Sequence, residues 1–185
     1  MVMTSRAVYV TCPKGIEEIL AREIEGILGR SLQSESELPA SSSGPKNEKE
    51  TERTSSGGVA FQGTLHEAYR VCLWSRTATR VLLPIASFDA PTPEKLYGGV
   101  RSIRWSDHLA ATGTLAVDFR SQHSQMNHSH FGALKTKDAI CDQFMSTRGE
   151  RPSVDKERPD VRVHVYLKND RAQVSIDLSG ERLHL

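Results

Sequence analysis

This 185-residue chain is poor in the features that usually mark a chemistry. It has three cysteines, Cys12, Cys72 and Cys141, odd in number and far apart, with no CxxC pair. That pattern supports neither a zinc ribbon nor a disulfide framework and fits a reduced, cytoplasmic setting. Aromatic residues make up 6% and the formal net charge is +1, so no global basicity marks a nucleic-acid binder. Any such signal must be local. No run is long and apolar enough for a transmembrane helix, and the opening MVMTSRAVYV lacks the apolar core of a signal peptide, so no membrane partner is expected. G-x-S-x-G, P-loop, H-E-x-x-H and G-x-G-x-x-G motifs are all missing. The common hydrolase, nucleotide-binding and metalloprotease classes therefore have no support.

What is present reads as an ordinary globular composition, 37% hydrophobic and 25% charged. VYVTC alternates as a strand over 7–12. PKGIEEILAREIEGILG predicts a helix opening at Pro13, with Ile16, Ile19, Leu20, Ile24, Ile27 and Leu28 on one face and Gly29 as C-cap. Residues 33–57 are rich in Ser, Glu, Gly and Pro, which predicts a mobile insert interrupting a β-meander. RSLQS before it and GGVAFQG after it read as strand segments. Thr64 and Glu67 form a capping box for the helix TLHEAYRVCLW, with Leu65, Ala68, Tyr69 and Cys72 sharing a face. TRVLLPIASF reads as a strand in which Pro84 demands an edge or a break. A helix from PTPEKLYGGVRSIRW, weakened by Gly98 and Gly99, and the strand TLAVDFRS follow. The chain closes on a β-hairpin, DVRVHVYLKNDRAQVSIDLSG, turning at Lys168–Arg171. The order is α+β, in two units dividing near Asp89–Pro93, the first with a ferredoxin-like β-α-β-β-α-β pattern.

Candidate chemistry is sparse. Cys12 sits at a strand-to-helix junction, where a thiol pKa can be lowered, but nothing beside it resembles a base, and a structural cysteine is the favoured reading. His123, His128 and His130 cluster without a further ligand at metal spacing. Trp74 and Trp105 are read as core residues rather than base-stacking platforms. Local charge is more informative. The stretches 64–110 and 120–151 each carry a net +2, offset by the acidic insert. The helix SHFGALKTKDAICDQF sets Lys137 in the middle of an apolar side made by Ala133, Leu134, Ile140, Cys141 and Phe144. A lysine there either snorkels to a carboxylate such as Asp118 or Asp160, or serves a ligand.

Four blocks point further. VYVTCPKGIEEILAREIEGILG, GGVAFQGTLHEAYRVCLWSRTATRVLLPI, HFGALKTKDAICDQF and RPDVRVHVYLKNDRAQVSIDLSGERLHL resemble, in order and spacing, the N-terminal part of the RlmL-type large-subunit ribosomal RNA guanine-N2 methyltransferases. The resemblance covers nearly all of the chain outside 33–57, where the polar insert replaces a short strand-like link. It implies a ferredoxin-like domain over 6–89 and a THUMP domain over 90–180, with a profile-defined THUMP beginning near 67. It also implies an RNA-recognition fragment without catalysis or cofactor of its own. S-adenosylmethionine is expected in a following methyltransferase domain, whose glycine and Asn-Pro-Pro motifs are missing here. The implied partner is structured ribosomal RNA. A tRNA-binding THUMP module and a protein-interaction module are the alternatives. On this resemblance the candidate RNA contacts are Lys135 and Lys137 beside the first turn of their helix, capped by Ser129 or His130, with His130, Arg104, Arg120 and Arg148 in support.

Overall fold

The computed structural model describes residues 5–32, 54–55, 57–180 and 183. The predicted insert at 33–57 lies outside them except for 54–55 and 57. The chain forms two compact units, one from 1–81 with 181–185, the other from 82–180.

The first unit holds β1 (Arg6–Thr11), α1 (Glu17–Leu28), β2 (Thr54–Ser55), β3 (Gly58–Gly63) and α2 (Leu65–Trp74). β3 pairs antiparallel with both β1 and β2. α1 begins four residues later than Pro13 suggests, because the chain first turns from Pro13 to Ile16. The Glu17 carboxylate then accepts from the Gly15 and Gly57 amides, at 2.8 and 2.9 Å. Gly29 ends the helix at φ 70°, as expected of a C-cap. The Thr64–Glu67 capping box is formed in both directions. The face of α2 differs from expectation: Ala68 and Val71 are buried, while Leu65 and Tyr69 stand out. The inward line is made of small side chains, which let the helix approach closely; bulk alone misreads it.

Glu23 on α1 holds the turn after α2. Its carboxylate accepts from Ser75 Oγ, Arg76 N, Thr77 Oγ1 and Thr77 N, at 2.6 to 3.2 Å. Burial works to raise its pKa, but these donors outweigh burial and hold it below the ordinary value.

β4 (Arg80–Asp89) starts in the first unit and continues into the second. The second unit adds α3 (Pro93–Ser102), a 3-10 turn at Trp105–Asp107, β5 (Thr114–Gln122), α4 (Ser129–Arg148), β6 (Ser153–Val154), β7 (Val161–Lys168) and β8 (Arg171–Asp177). The strand order is β4-β8-β7-β5-β6, with β5 parallel to both β6 and β7. The units divide between Val81 and Leu82, inside the strand rather than near Asp89–Pro93, because Leu82–Asp89 pair with β8. Pro84 sits at the break it demands, where the β4–β8 register shifts between Pro84 and Ala86. The closing hairpin turns through Asn169 and Asp170, at φ 49° and 60°, a two-residue turn of the type that matches strand twist.

The core of this unit gathers Leu96, Val100 and Trp105 with Ile140 and Phe144, over Leu115, Phe119, Val163, Val165, Leu167 and Val174. Both α3 and α4 therefore lie on one face of the sheet. Each helix admits a phenylalanine from the sheet at a glycine. A Cβ on Gly132 would come within 2.5 Å of the Phe119 ring, and one on Gly99 would collide with Phe88.

Two predictions follow from these contacts. Gly99→Ala and Gly132→Ala should each cost about 1–3 kcal/mol in urea unfolding, partly recovered when Phe88 or Phe119 is shortened to Leu. Glu23→Gln should cost about 1.5–3 kcal/mol at neutral pH. Because the folded carboxyl titrates below its unfolded value, that advantage is full above about pH 4.3 and fades as pH falls through the folded pKa. Chemical melts of both proteins across acid pH read the convergence.

Candidate nucleic-acid interface

α4 carries most of the candidate residues, and its buried side differs from the expected one. Gly132, Thr136, Ala139, Ile140, Cys141 and Phe144 are buried, while Leu134 is exposed. Successive positions 132, 136, 140 and 144 form the inward line, so Lys137 lies on its flank rather than at its centre. The Lys137 ammonium sits 2.7 Å from Asp138 Oδ1 and the side chain is only 24% exposed. Neither expected carboxylate takes it. Asp118 faces Arg162 at 3.6 Å, and Asp160 accepts from the amide and hydroxyl of Thr114.

Lys135 lies on the opposite flank, its ammonium 5.7 Å from the Phe131 ring centroid and near enough to Glu94 of α3 to help lower that carboxyl's pKa, behind Glu94's own backbone and Thr92. Residues two apart on a helix point about 200° away from each other. The two lysines therefore form no common cradle. The N-cap is His128, whose Nδ1 accepts from the Phe131 amide at 3.3 Å, in place of Ser129 or His130. His130 is exposed in the first turn.

The structure instead brings together Arg104 and Arg148, 44 positions apart. They line a cleft of about 410 Å³ with Ser102, Ser106, Gln143, Phe144 and Thr147. Gln143 builds it: its carbonyl accepts from Trp105 N at 3.0 Å, and its amide donates to the Arg101 and Ile103 carbonyls. α3 and α4 both end here, at Ser102 and Arg148. Two helix C-termini put partial negative charge at the cleft, which the arginines offset. Their guanidinium groups remain available to a further anion: Arg104 is 81% exposed, held only loosely by Asp107 at 3.8 Å, and Arg148 is exposed. Arg120 lies apart from all of these, exposed on β5. Its neighbour in the strand, Phe119, faces the helices, so Arg120 faces the other way.

The remaining candidates resolve differently. Cys12 is buried, and burial first and the Glu17 carboxylate second push its thiol pKa up, against an activated nucleophile. Trp105 is fully buried and its indole N–H donates to the Val100 carbonyl at 2.8 Å. Trp74 is not core: it is 70% exposed, the last residue of α2, off the line of Ala68 and Val71. Sequence reasoning also passed over Thr136, whose hydroxyl is buried and has no hydrogen-bond partner among the described residues.

Residues 90–177 match the THUMP domain family and residues 49–82 match the RlmL ferredoxin-like domain family. The ribosomal RNA large subunit methyltransferase K/L of Methylococcus capsulatus is 47% identical over 180 residues, 97% of this chain and 22% of its own length. Among solved structures, a possible methylase from Clostridium difficile 630 superposes with a TM-score of 0.76 at 21% identity, over 97% of this chain and 42% of that one. A putative methyltransferase complexed with SAH gives 0.75 at 23%, over 98% and 43%. At these identities the two structures show the fold alone.

Thr136→Val should raise stability by about 1 kcal/mol, since it keeps the shape and removes an unsatisfied buried hydroxyl. A thermal melt showing a loss of that size would mean the hydroxyl has a partner.

Proposed function

We propose that this chain, which matches the RlmL ferredoxin-like domain over 49–82 and the THUMP domain over 90–177, is the RNA-recognition part of a cytoplasmic rRNA guanine-N2 methyltransferase. It grips structured ribosomal RNA by shape and phosphate contacts and positions one guanine for a methyltransferase domain outside these 185 residues. The observation that carries this reading is the 47% identity to a ribosomal RNA large subunit methyltransferase along 97% of the chain. S-adenosylmethionine belongs to that other domain. No glycine-rich turn of the kind that cradles such a cofactor occurs in this sequence, and no residue here is assigned to it.

Within the candidate set, we rank the proposed contacts by their geometry. Arg104 and Arg148 come first, because they converge and face solvent. Lys135 and His130 are accessory contacts on the first turns of α4, and Lys137 contributes least, its charge being met by Asp138. A second role is favoured by one feature of the first unit, where Ile19, Leu73 and Trp74 leave apolar surface exposed. That surface suits contact with protein rather than RNA.

Mobility-shift titrations against ribosomal RNA fragments and tRNA at several salt concentrations test the reading. Saturable binding that prefers ribosomal RNA and weakens with salt is expected. Arg104→Ala with Arg148→Ala should lower affinity and flatten the log–log salt dependence by about one unit per residue. Lys137→Ala should change the slope less. Equal binding of tRNA would move the assignment to tRNA, and no binding at low salt would favour the protein-contact role alone.

A further inference from the structure

The face of the second unit's sheet that turns away from α3 and α4 carries an ordered set of polar residues. Strand register places Arg120, Tyr166, Gln173 and Ser87 in one row across β5, β7, β8 and β4. The next row is Gln122, Lys168, Arg171 and Asp89. Tyr166 is half-buried and the other seven are exposed. Some of these charges are already matched: Arg171 bonds Asp89 and Ser87, both at 3.1 Å. Arg120 and Lys168 make no ion pair among the described residues. The Tyr166 hydroxyl donates to Gln122 Oε1, which fixes the ring, with Arg120 as its cross-strand neighbour and Lys168 two residues further along the strand.

An aromatic ring beside a guanidinium plane offers stacking surfaces, Gln173 offers an amide that reads base edges, and a lysine one row on offers a phosphate contact. A duplex keeps its bases stacked on each other and exploits none of the first two. An unpaired strand exploits all of them, and its charge complements the two unmatched cations. We propose that this open sheet face binds a single-stranded stretch of the RNA, with a base stacked on Tyr166 and the flanking backbone held by Arg120 and Lys168. The proposal rests on the RNA-binding reading above and adds a second contact surface, on the face opposite the helices.

The test is fluorescence anisotropy of the full chain with a labelled mixed-sequence single-stranded RNA of twelve nucleotides and, separately, with a hairpin duplex. The single strand should bind saturably. Tyr166→Ala should weaken that binding roughly tenfold, and Tyr166→Phe, which keeps the ring, should recover most of the loss. Arg120→Ala with Lys168→Ala should weaken it and flatten its salt dependence by about 1.4 units. These two residues are exposed, so this variant decides the matter if Tyr166→Ala fails to fold. Folded variants that bind the single strand as the parent does would overturn the proposal, as would a chain that binds only the duplex while the RNA-binding reading stood. A chain that binds neither RNA would overturn both.

Discussion

The parallel pairing of β5 with β7 constrains everything else in the second unit. Eight residue pairs, Leu115↔Val161 through Gln122↔Lys168, align the two strands in one direction. No tight turn can join such strands, so the chain must return along the sheet, and α4 is that return. α3 does the same service between β4 and β5 and lies on the same face. The Phe119–Gly132 and Phe88–Gly99 contacts then set how closely each helix lies on the sheet. With one face covered, β7 alternates between Val163, Val165 and Leu167 inward and Arg162, His164, Tyr166 and Lys168 on the other side. Crossover geometry thus decides that this unit has a helical side and a polar side, the latter exposed from Arg120 and Gln173 to Gln122 and Lys168, each side carrying its own cations.

Elements whose signal is local were legible in the sequence. The hairpin announces itself by alternation and by Asn169–Asp170, and α2 by its capping box. Signals that depend on distant residues were not. That most of β4 belongs to the second unit depends on β8, some ninety residues later, and nothing within TRVLLPIASF encodes it. Helix faces were misread for one reason in two places. A wheel weighted by bulk turns Leu134 inward, and likewise Leu65 and Tyr69. The packed interface wants close approach: it takes Gly132 and Thr136 in α4, and in α2 it keeps the expected Ala68 and adds Val71. Lys137 looked anomalous only because Gly132 and Thr136 carry no hydrophobic signal.

For the candidate site, residue types were legible and their grouping was not. Lys135 and Lys137 are neighbours in sequence and diverge on the helix. Arg104 and Arg148 are distant in sequence and converge, because Gln143 ties the end of α3 to α4. Charge behaves the same way. The net +1 hides which cations are already matched: Lys137 by Asp138, Arg162 by Asp118, Arg171 by Asp89. On the two surfaces described above, Arg148, Arg120 and Lys168, with Arg104 held only loosely by Asp107, then have most to gain from a phosphate.

Those four fall on the two sides of one layered unit, and that division bears on the kind of RNA that would suit the proposed function. Arg104 and Arg148 sit at the ends of the helices, Arg120 and Lys168 on the bare sheet. A continuous duplex is stiff and lies against one side. On the proposed reading, RNA that engages both sides changes character along its length and is unpaired where it meets Tyr166. The proposed chemistry asks for the same thing. The N2 amine of a paired guanine is engaged in the Watson–Crick pair, and enzymes that act on a base take it out of the stack. A recognition unit that prefers a junction over a uniform helix selects sites where that unstacking is already part done. If both proposed contact surfaces serve the proposed reaction, the substrate they fit together is a guanine at or near the boundary between paired and unpaired RNA.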